Sequence, residues 1–179
     1  MKELNGFTLI ELIITIALIA ILFGIAVPSF VGMIQLNRDV AQVNSLQGNL
    51  RWARTEAIKQ HVSVSTCASS DKLTCSGSTD WAAGWIIFTD QNNNGVVNDN
   101  GDLNLCEDGE DCILKVGSAA YNAAIVSTAT ITFDAKGTAA DNYAITFTPD
   151  DCPTGEQNRS STISILALGK IKKIRRNCP

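Results

Sequence analysis

From Leu12 to Asn37 the chain carries no charged residue. A helix of that length would span about 39 Å at about 1.5 Å per residue, enough to cross the hydrocarbon core of a bilayer. A cleaved secretory signal would instead show a basic start, a shorter apolar centre and small residues at its end. Here only the short polar stretch Met1 to Gly6 precedes the apolar residues, so the run reads as a membrane helix. One residue breaks its pattern. Glu11, four positions beyond Phe7, carries a carboxylate that is costly to bury in lipid without a partner. If the chain were cut after Gly6, Phe7 would gain an α-amino group close to Glu11 in sequence, and the same amine on a neighbouring copy could supply the opposite charge.

Gly6-Phe7-Thr8-Leu9-Ile10-Glu11-Leu12 resembles the prepilin leader motif of type IV pilins and type II secretion pseudopilins. The resemblance rests on a glycine before the cut, a phenylalanine after it, a glutamate at the fifth mature position and the long apolar helix. It implies cleavage between Gly6 and Phe7 by an inner-membrane prepilin peptidase and methylation of the new amine. It also implies that Glu11 neutralises a neighbour's N-terminus as a filament grows. Pro28, inside the helical stretch and flanked by Gly24 and Gly32, lacks a backbone donor and tends to kink a helix; family members often have proline there, where a local opening would let packed helices slide.

Beyond Arg38 the pattern turns amphipathic. Leu36, Val40, Val43, Leu46, Leu50, Ala53 and Ala57 recur at spacings of three and four and predict one face packed on a core. The opposite face carries Arg38, Gln42, Arg51, Arg54 and Lys59. The pattern ends near His61, which reads as a surface residue at a helix end. Short strands are then expected at 62–66, 85–89, 113–117, 130–134, 143–148 and 162–168, separated by turn-rich loops. The predicted class is α+β, a long N-terminal helix packed against an antiparallel β-rich domain. Four regions are expected: a cleaved leader (1–6), a hydrophobic membrane and filament-core helix (7–34), an amphipathic second half (35–61), and a disulfide-bonded globular domain with a basic C-terminal tail (62–179).

The six cysteines, Cys67, Cys75, Cys106, Cys112, Cys152 and Cys178, all follow the apolar run, and none sits in a CxxC pair. An even number at short separations points to disulfides in an oxidising compartment. Of the roughly fifteen pairings open to six cysteines, closeness in sequence favours Cys67 with Cys75 and Cys106 with Cys112, leaving Cys152 with Cys178.

The stretch from Asp80 to Asp90, with Trp81, Trp85, Ile86, Ile87 and Phe88, followed by Asn92-Asn93-Asn94-Gly95, resembles the GspH/FimT/FimU family of minor pilins and pseudopilins. Trp81 and Trp85 could stack on nucleic acid, but Gly84 to Phe88 reads as a buried strand, which favours core. Asp90, Asn92 and Asn94 followed by Gly95 match the first half of a calcium loop; the second half fails, with Gly101 where a glutamate is needed. Seven acids and no Lys or Arg lie between Asp90 and Asp111, which leaves weak cation binding by Asp90, Asp99 or Asp102 open beside a solvated hairpin loop. No nucleophile elbow, metal-ligand helix or phosphate-binding glycine loop is present, and neither an enzyme nor a cofactor is expected.

A formal net charge of −4 excludes a surface built throughout to attract nucleic acid, so any such contact must be local. From Gln157 to Pro179 there is no acid, while Arg159, Lys170, Lys172, Lys173, Arg175 and Arg176 are all basic. Gly169-Lys170-Ile171-Lys172 resembles the Gly-Arg-x-Arg tail associated with DNA binding in FimT-type pilins, with lysines that keep the charge and lose the bidentate fork. Three uses are open for the patch: double-stranded DNA, held through several phosphates in a salt-sensitive way, an acidic loop such as Glu107 to Asp111 of the next subunit, or solvation of an edge strand that blocks aggregation.

The resemblances imply a minor pilin at or near the tip of a type IV pilus that supports pilus biogenesis, held in the inner membrane by one helix with its domain periplasmic, then carried to the cell surface. Its partners would be prepilin peptidase and other major and minor pilins. The alternative is an H-type minor pseudopilin of a type II secretion system.

Overall fold

Helix α1 spans Leu9–Gln60. Its start is capped by Thr8, whose Oγ1 accepts the Glu11 amide at 3.3 Å. Its end falls where His61 adopts φ 58°, a left-handed conformation that stops helical hydrogen bonding. The computed structural model describes residues 8–98, 106–107 and 109–179, and of 25–29 the helical backbone alone. Gly6 and Phe7, the expected processing site, lie outside the described residues, as do Asp99 and Asp102. The chain forms two compact units, Met1–Arg38 and Asp39–Pro179.

In the first unit the backbone stays helical through Pro28. Leu9, Ile10, Leu12, Ile13, Ile14, Ile16, Leu18, Ile19, Ile21, Leu22 and Phe23 are all at least half exposed, at positions that take in the helix's whole circumference. Among the described residues no helix is long and apolar enough to cross a membrane. Of the expected span 7–34, Phe7 and the side chains of 25–29 fall outside the description.

The second unit combines the last turns of α1 with eight strands: β1 (Val64–Ala68), β2 (Trp85–Thr89), β3 (Ile113–Gly117), β4 (Ala123–Val126), β5 (Thr130–Phe133), β6 (Tyr143–Pro149), β7 (Ser160–Ile165) and β8 (Ile171–Arg176). They make two antiparallel four-stranded sheets, ordered β3-β2-β1-β5 and β4-β6-β7-β8. Val43, Leu46, Leu50, Ala53 and Ala57 of α1 enter one core with Trp81, Trp85, Ile131, Phe133, Phe147 and Ile163 from both sheets. The apolar stripe was expected to begin at Leu36. Burial begins at Val43; Leu36 is 46% exposed and Val40 37%.

Trp81 and Trp85 are both core residues, and the Trp81 indole donates to the Thr128 carbonyl at 3.0 Å. A second, smaller cluster joins Ile86 and Phe88 to the Cys67–Cys75 disulfide, so β1 and β2 are buried on both faces. The other disulfides join Cys106 to Cys112 and Cys152 to Cys178.

Two strands escaped the sequence pattern. β4 opens with two alanines, poor strand formers, and β8 is Ile-Lys-Lys-Ile-Arg-Arg, which shows no apolar alternation. The strand expected at 162–168 is displaced to Ser160–Ile165, because Leu166–Lys170 turns the chain back: Gly169 N donates to the Leu166 carbonyl at 2.7 Å and Leu166 N to the Lys170 carbonyl at 3.0 Å. What reads as a basic tail is therefore the second arm of a hairpin, tied at its far end by Cys178.

Candidate functional site

The hairpin sorts the basic residues by face. Residues paired across an antiparallel ladder point to the same side, and Ile163 and Ile165, which pair with Lys173 and Ile171, belong to the core. Ile171, Lys173 and Arg175 therefore lie on the side of α1, and the Lys173 ammonium donates to Asn44 Oδ1 of that helix. Lys172, Ile174 and Arg176 lie on the outer side with Thr162, Ser164 and Ser160. Lys170 sits in the turn.

Lys170, Lys172, Arg175 and Arg176 are exposed, and among the described residues none of them makes an ion pair. Arg159 behaves differently and leaves the patch. Its guanidinium is bonded to Asp39 at 3.3 Å, Asp151 at 2.8 Å and Glu156 at 3.4 Å, which neutralises it. Burial holds the Asp39 carboxyl above its usual range, although the Arg159 contact pulls it back down.

Gly169 is fixed by its surroundings as well as by its turn. Its φ is +75°, and a Cβ there would stand 1.9 Å from the Gly137 carbonyl oxygen and 2.4 Å from Arg54 Nε. Arg54 in turn donates through Nε to that same Gly137 oxygen at 2.7 Å. On the face of α1 opposite the apolar stripe, Arg54 is half-buried against the 134–138 turn, and Gln42 bonds to the backbone of Tyr121 in both directions. With the Gln47 amide turned so that its oxygen accepts, it receives Arg51 Nη2 at 3.2 Å and the Lys173 backbone N–H at 3.3 Å, joining β8 to the helix. These arginines could have been noticed in the sequence, since no acid lies between Asp39 and Glu56.

The half-loop of Asp90, Asn92 and Asn94 is closed by its own hydrogen bonds. Asp90 is fully buried; its carboxylate accepts Ser65 Oγ at 2.6 Å and the amides of Asn94 and Gly95 at 2.9 Å each. Asn94 Oδ1 accepts the Val96 amide, and Asn92 Oδ1 the Asn94 amide. Among the described residues no three His, Cys, Asp or Glu groups gather where they could hold a metal. His61 is exposed, as expected.

At the other end of the chain, Glu11 is exposed on the first full turn of α1. The prokaryotic N-terminal methylation motif matches residues 1–27. The model of the type II transport protein GspH matches residues 42–169, well over half of the chain. The chain belongs to the GspH family. No curated protein sequence matches it. Two crystal structures of the type IV minor pilin FimU from Pseudomonas aeruginosa PAO1 share the fold of this GspH-family protein. The first is 22% identical with a TM-score of 0.52, covering 78% of this chain and 90% of FimU; the second is 21% identical with a TM-score of 0.51, covering 75% and 90%. The minor pseudopilin EpsH from the Vibrio cholerae type II secretion system aligns over 76% of this chain and 94% of its own, at 10% identity and a TM-score of 0.44. The long helix and two antiparallel sheets of this GspH-family protein follow the pilin fold of FimU.

Proposed function

We propose that the chain is a minor pilin of a type IV pilus, incorporated at or near the tip, where it supports the start of assembly. The observation that carries the reading is the first half of α1: apolar side chains exposed around its whole circumference, with a single carboxylate at Glu11, on a chain with the methylation motif. A helix apolar on all sides is stable only among lipids or among other helices. In this reading prepilin peptidase cleaves between Gly6 and Phe7, and the new amine is methylated. The subunit waits in the inner membrane with its disulfide-bonded domain in the periplasm. Glu11 then pairs with the N-terminus of a neighbouring pilin as the helices pack, and Pro28, which leaves the Gly24 carbonyl without its helical donor, is where they slide.

The test is a gene deletion complemented with the wild-type chain or with Glu11→Gln, scored for surface pili and for protein secretion. Loss of pili with secretion intact, restored by the wild type and not by the variant, supports the reading. Loss of secretion with pili intact makes the chain an H-type minor pseudopilin of a type II secretion system.

A second reading rests on the four unpaired basic side chains of the β7–β8 hairpin. On a protein of net charge −4 they form a local cationic edge that suits double-stranded DNA taken up in natural transformation. Binding of labelled duplex, steep in salt and lost when Lys170, Lys172, Arg175 and Arg176 are neutralised together, supports it. Absence of binding at low salt leaves the edge as a contact for a neighbouring subunit.

A further inference from the structure

The hairpin is one wall of a cleft whose other wall is α1. A cavity of about 400 Å³ opens between them, lined by Arg51, Arg54, Thr55, Gly169, Lys170 and Ile171 among others. Three of these carry positive charge, and among the described residues no carboxylate lines the cavity. The absence of acid extends beyond the cavity: residues 40–55 of α1 and residues 157–179 contain no Asp or Glu. The nearest helical acid, Glu56, is buried and already accepts Gln60 Nε2 at 2.6 Å and Lys59 Nζ at 3.4 Å.

The cations are also held in place. Arg54 is anchored through Nε to Gly137, which leaves its two terminal nitrogens to donate. Arg51 leans on Gln47, and Lys173 on Asn44, further along the same seam. From Asn44 to Arg54 the helix rises about 15 Å, about four base-pair steps along the axis of a duplex. A single side-chain carboxylate would use one end of such a row; a linear polyanion uses all of it. Two arginines with planar donor forks suit phosphate oxygens in particular.

We propose that the α1–β8 seam is the seat of a nucleic-acid phosphodiester backbone, with Arg51, Arg54 and Lys170 gripping one phosphate in the cleft and Lys173 and Arg175 continuing the track. The inference rests on the nucleic-acid reading above, and adds to it two helix arginines outside the C-terminal segment. Gln47 is a positioning residue, acting through Arg51 and the β8 backbone.

The test uses the full chain in detergent micelles and a short labelled duplex of mixed sequence, titrated between about 50 and 200 mM salt, a range over which phosphate contacts are strongly screened. Arg51→Gln and Lys170→Gln are each expected to weaken binding about tenfold at the low-salt end and to reduce the slope of log affinity against log salt by about 1. Arg54→Lys, which keeps the charge but loses the donor fork and the Nε bond to Gly137, should weaken binding less than Arg54→Gln and leave the salt slope near that of the wild type. If Arg51→Gln and Lys170→Gln match the wild type in affinity and slope while neutralising Lys172 and Arg176 abolishes binding, the cleft is overturned and the nucleic-acid reading survives. If the wild type binds no duplex, both fall. Poly-glutamate that competes as well as unlabelled duplex also overturns the inference, and makes the seam a contact for an acidic protein.

Discussion

Arg159, at the entrance to β7, donates through Nη2 to Asp39 Oδ2 on α1 across 120 residues of sequence, at 3.3 Å. Both side chains are close to buried, 12% and 13% exposed, and Asp151 and Glu156 complete the cluster. The guanidinium thus clamps the β6–β7 loop to the helix. Removing it leaves the Asp39 carboxylate desolvated without its partner, a loss of about 1–3 kcal/mol. Arg159→Gln is expected to shift urea unfolding by that amount and to leave duplex affinity unchanged wherever the protein is folded. A fall in affinity with stability intact would show that Arg159 belongs to the basic edge after all.

Gly169 is expected to tolerate no side chain. A Cβ would collide with the Gly137 carbonyl and Arg54, and a positive φ would add strain of its own. Gly169→Ala should cost about 2–4 kcal/mol in chemical unfolding, whereas alanine at Gly48, where a Cβ meets nothing within 4 Å on the exposed face of α1, should be neutral or mildly stabilising. Equal effects at the two positions would mean that the turn yields more readily than its packing implies.

What could be read in advance, and what could not, divides by the range of the interaction. The helix, the Trp85 strand and the pairing of nearby cysteines depend on neighbours in sequence, and each was legible. β8 was not, because its lysines and arginines are placed by pairing with β7 and by Asn44 and Gln47, more than a hundred positions away. For the same reason Arg159 looked equivalent to Arg175: a count of charges does not register that Asp39 returns to meet one of them and not the other. The sequence places Arg51 and Arg54 on the helix face opposite the apolar stripe, but only the 134–138 and 166–170 turns make that face a wall.

The Cys152–Cys178 disulfide closes a loop of sequence separation 26 that contains all of β7 and β8. A chain-entropy account assigns such a crosslink about 3.5 kcal/mol, through the unfolded state. Its native effect should be local: Cys178 N donates to the Glu156 carbonyl and Gly155 N to the Cys178 carbonyl, contacts that hold the end of the edge strand. Replacing both cysteines by serine is expected to lower stability by about 2–4 kcal/mol, to speed amide exchange in β8 more than in β1 or β2, and to weaken duplex binding by loosening the track. Uniform acceleration of exchange across both sheets would show that β8 is not a separately frayed element.

Acid should weaken two turns. The Asp71 carboxylate accepts from Thr74 Oγ1, the Thr74 and Leu73 amides and Ser69 Oγ, and these bonds, Thr74's above all, hold its pKa far below the ordinary value. Asp134 is lowered in the same way, chiefly by Thr138 Oγ1, within the turn that supports Arg54. A carboxyl whose folded pKa lies below its unfolded value adds stability that is fully present above the unfolded pKa, near 3.8 for these groups, and is lost as pH falls through the folded one. Asp134→Asn should therefore melt below the wild type at pH 7, with the gap narrowing steadily below about pH 4. Thermal melts of wild type, Asp71→Asn and Asp134→Asn at a series of pH values test this directly. A gap that stayed constant down to pH 2 would mean that the turns need the shape of the side chain and not its charge.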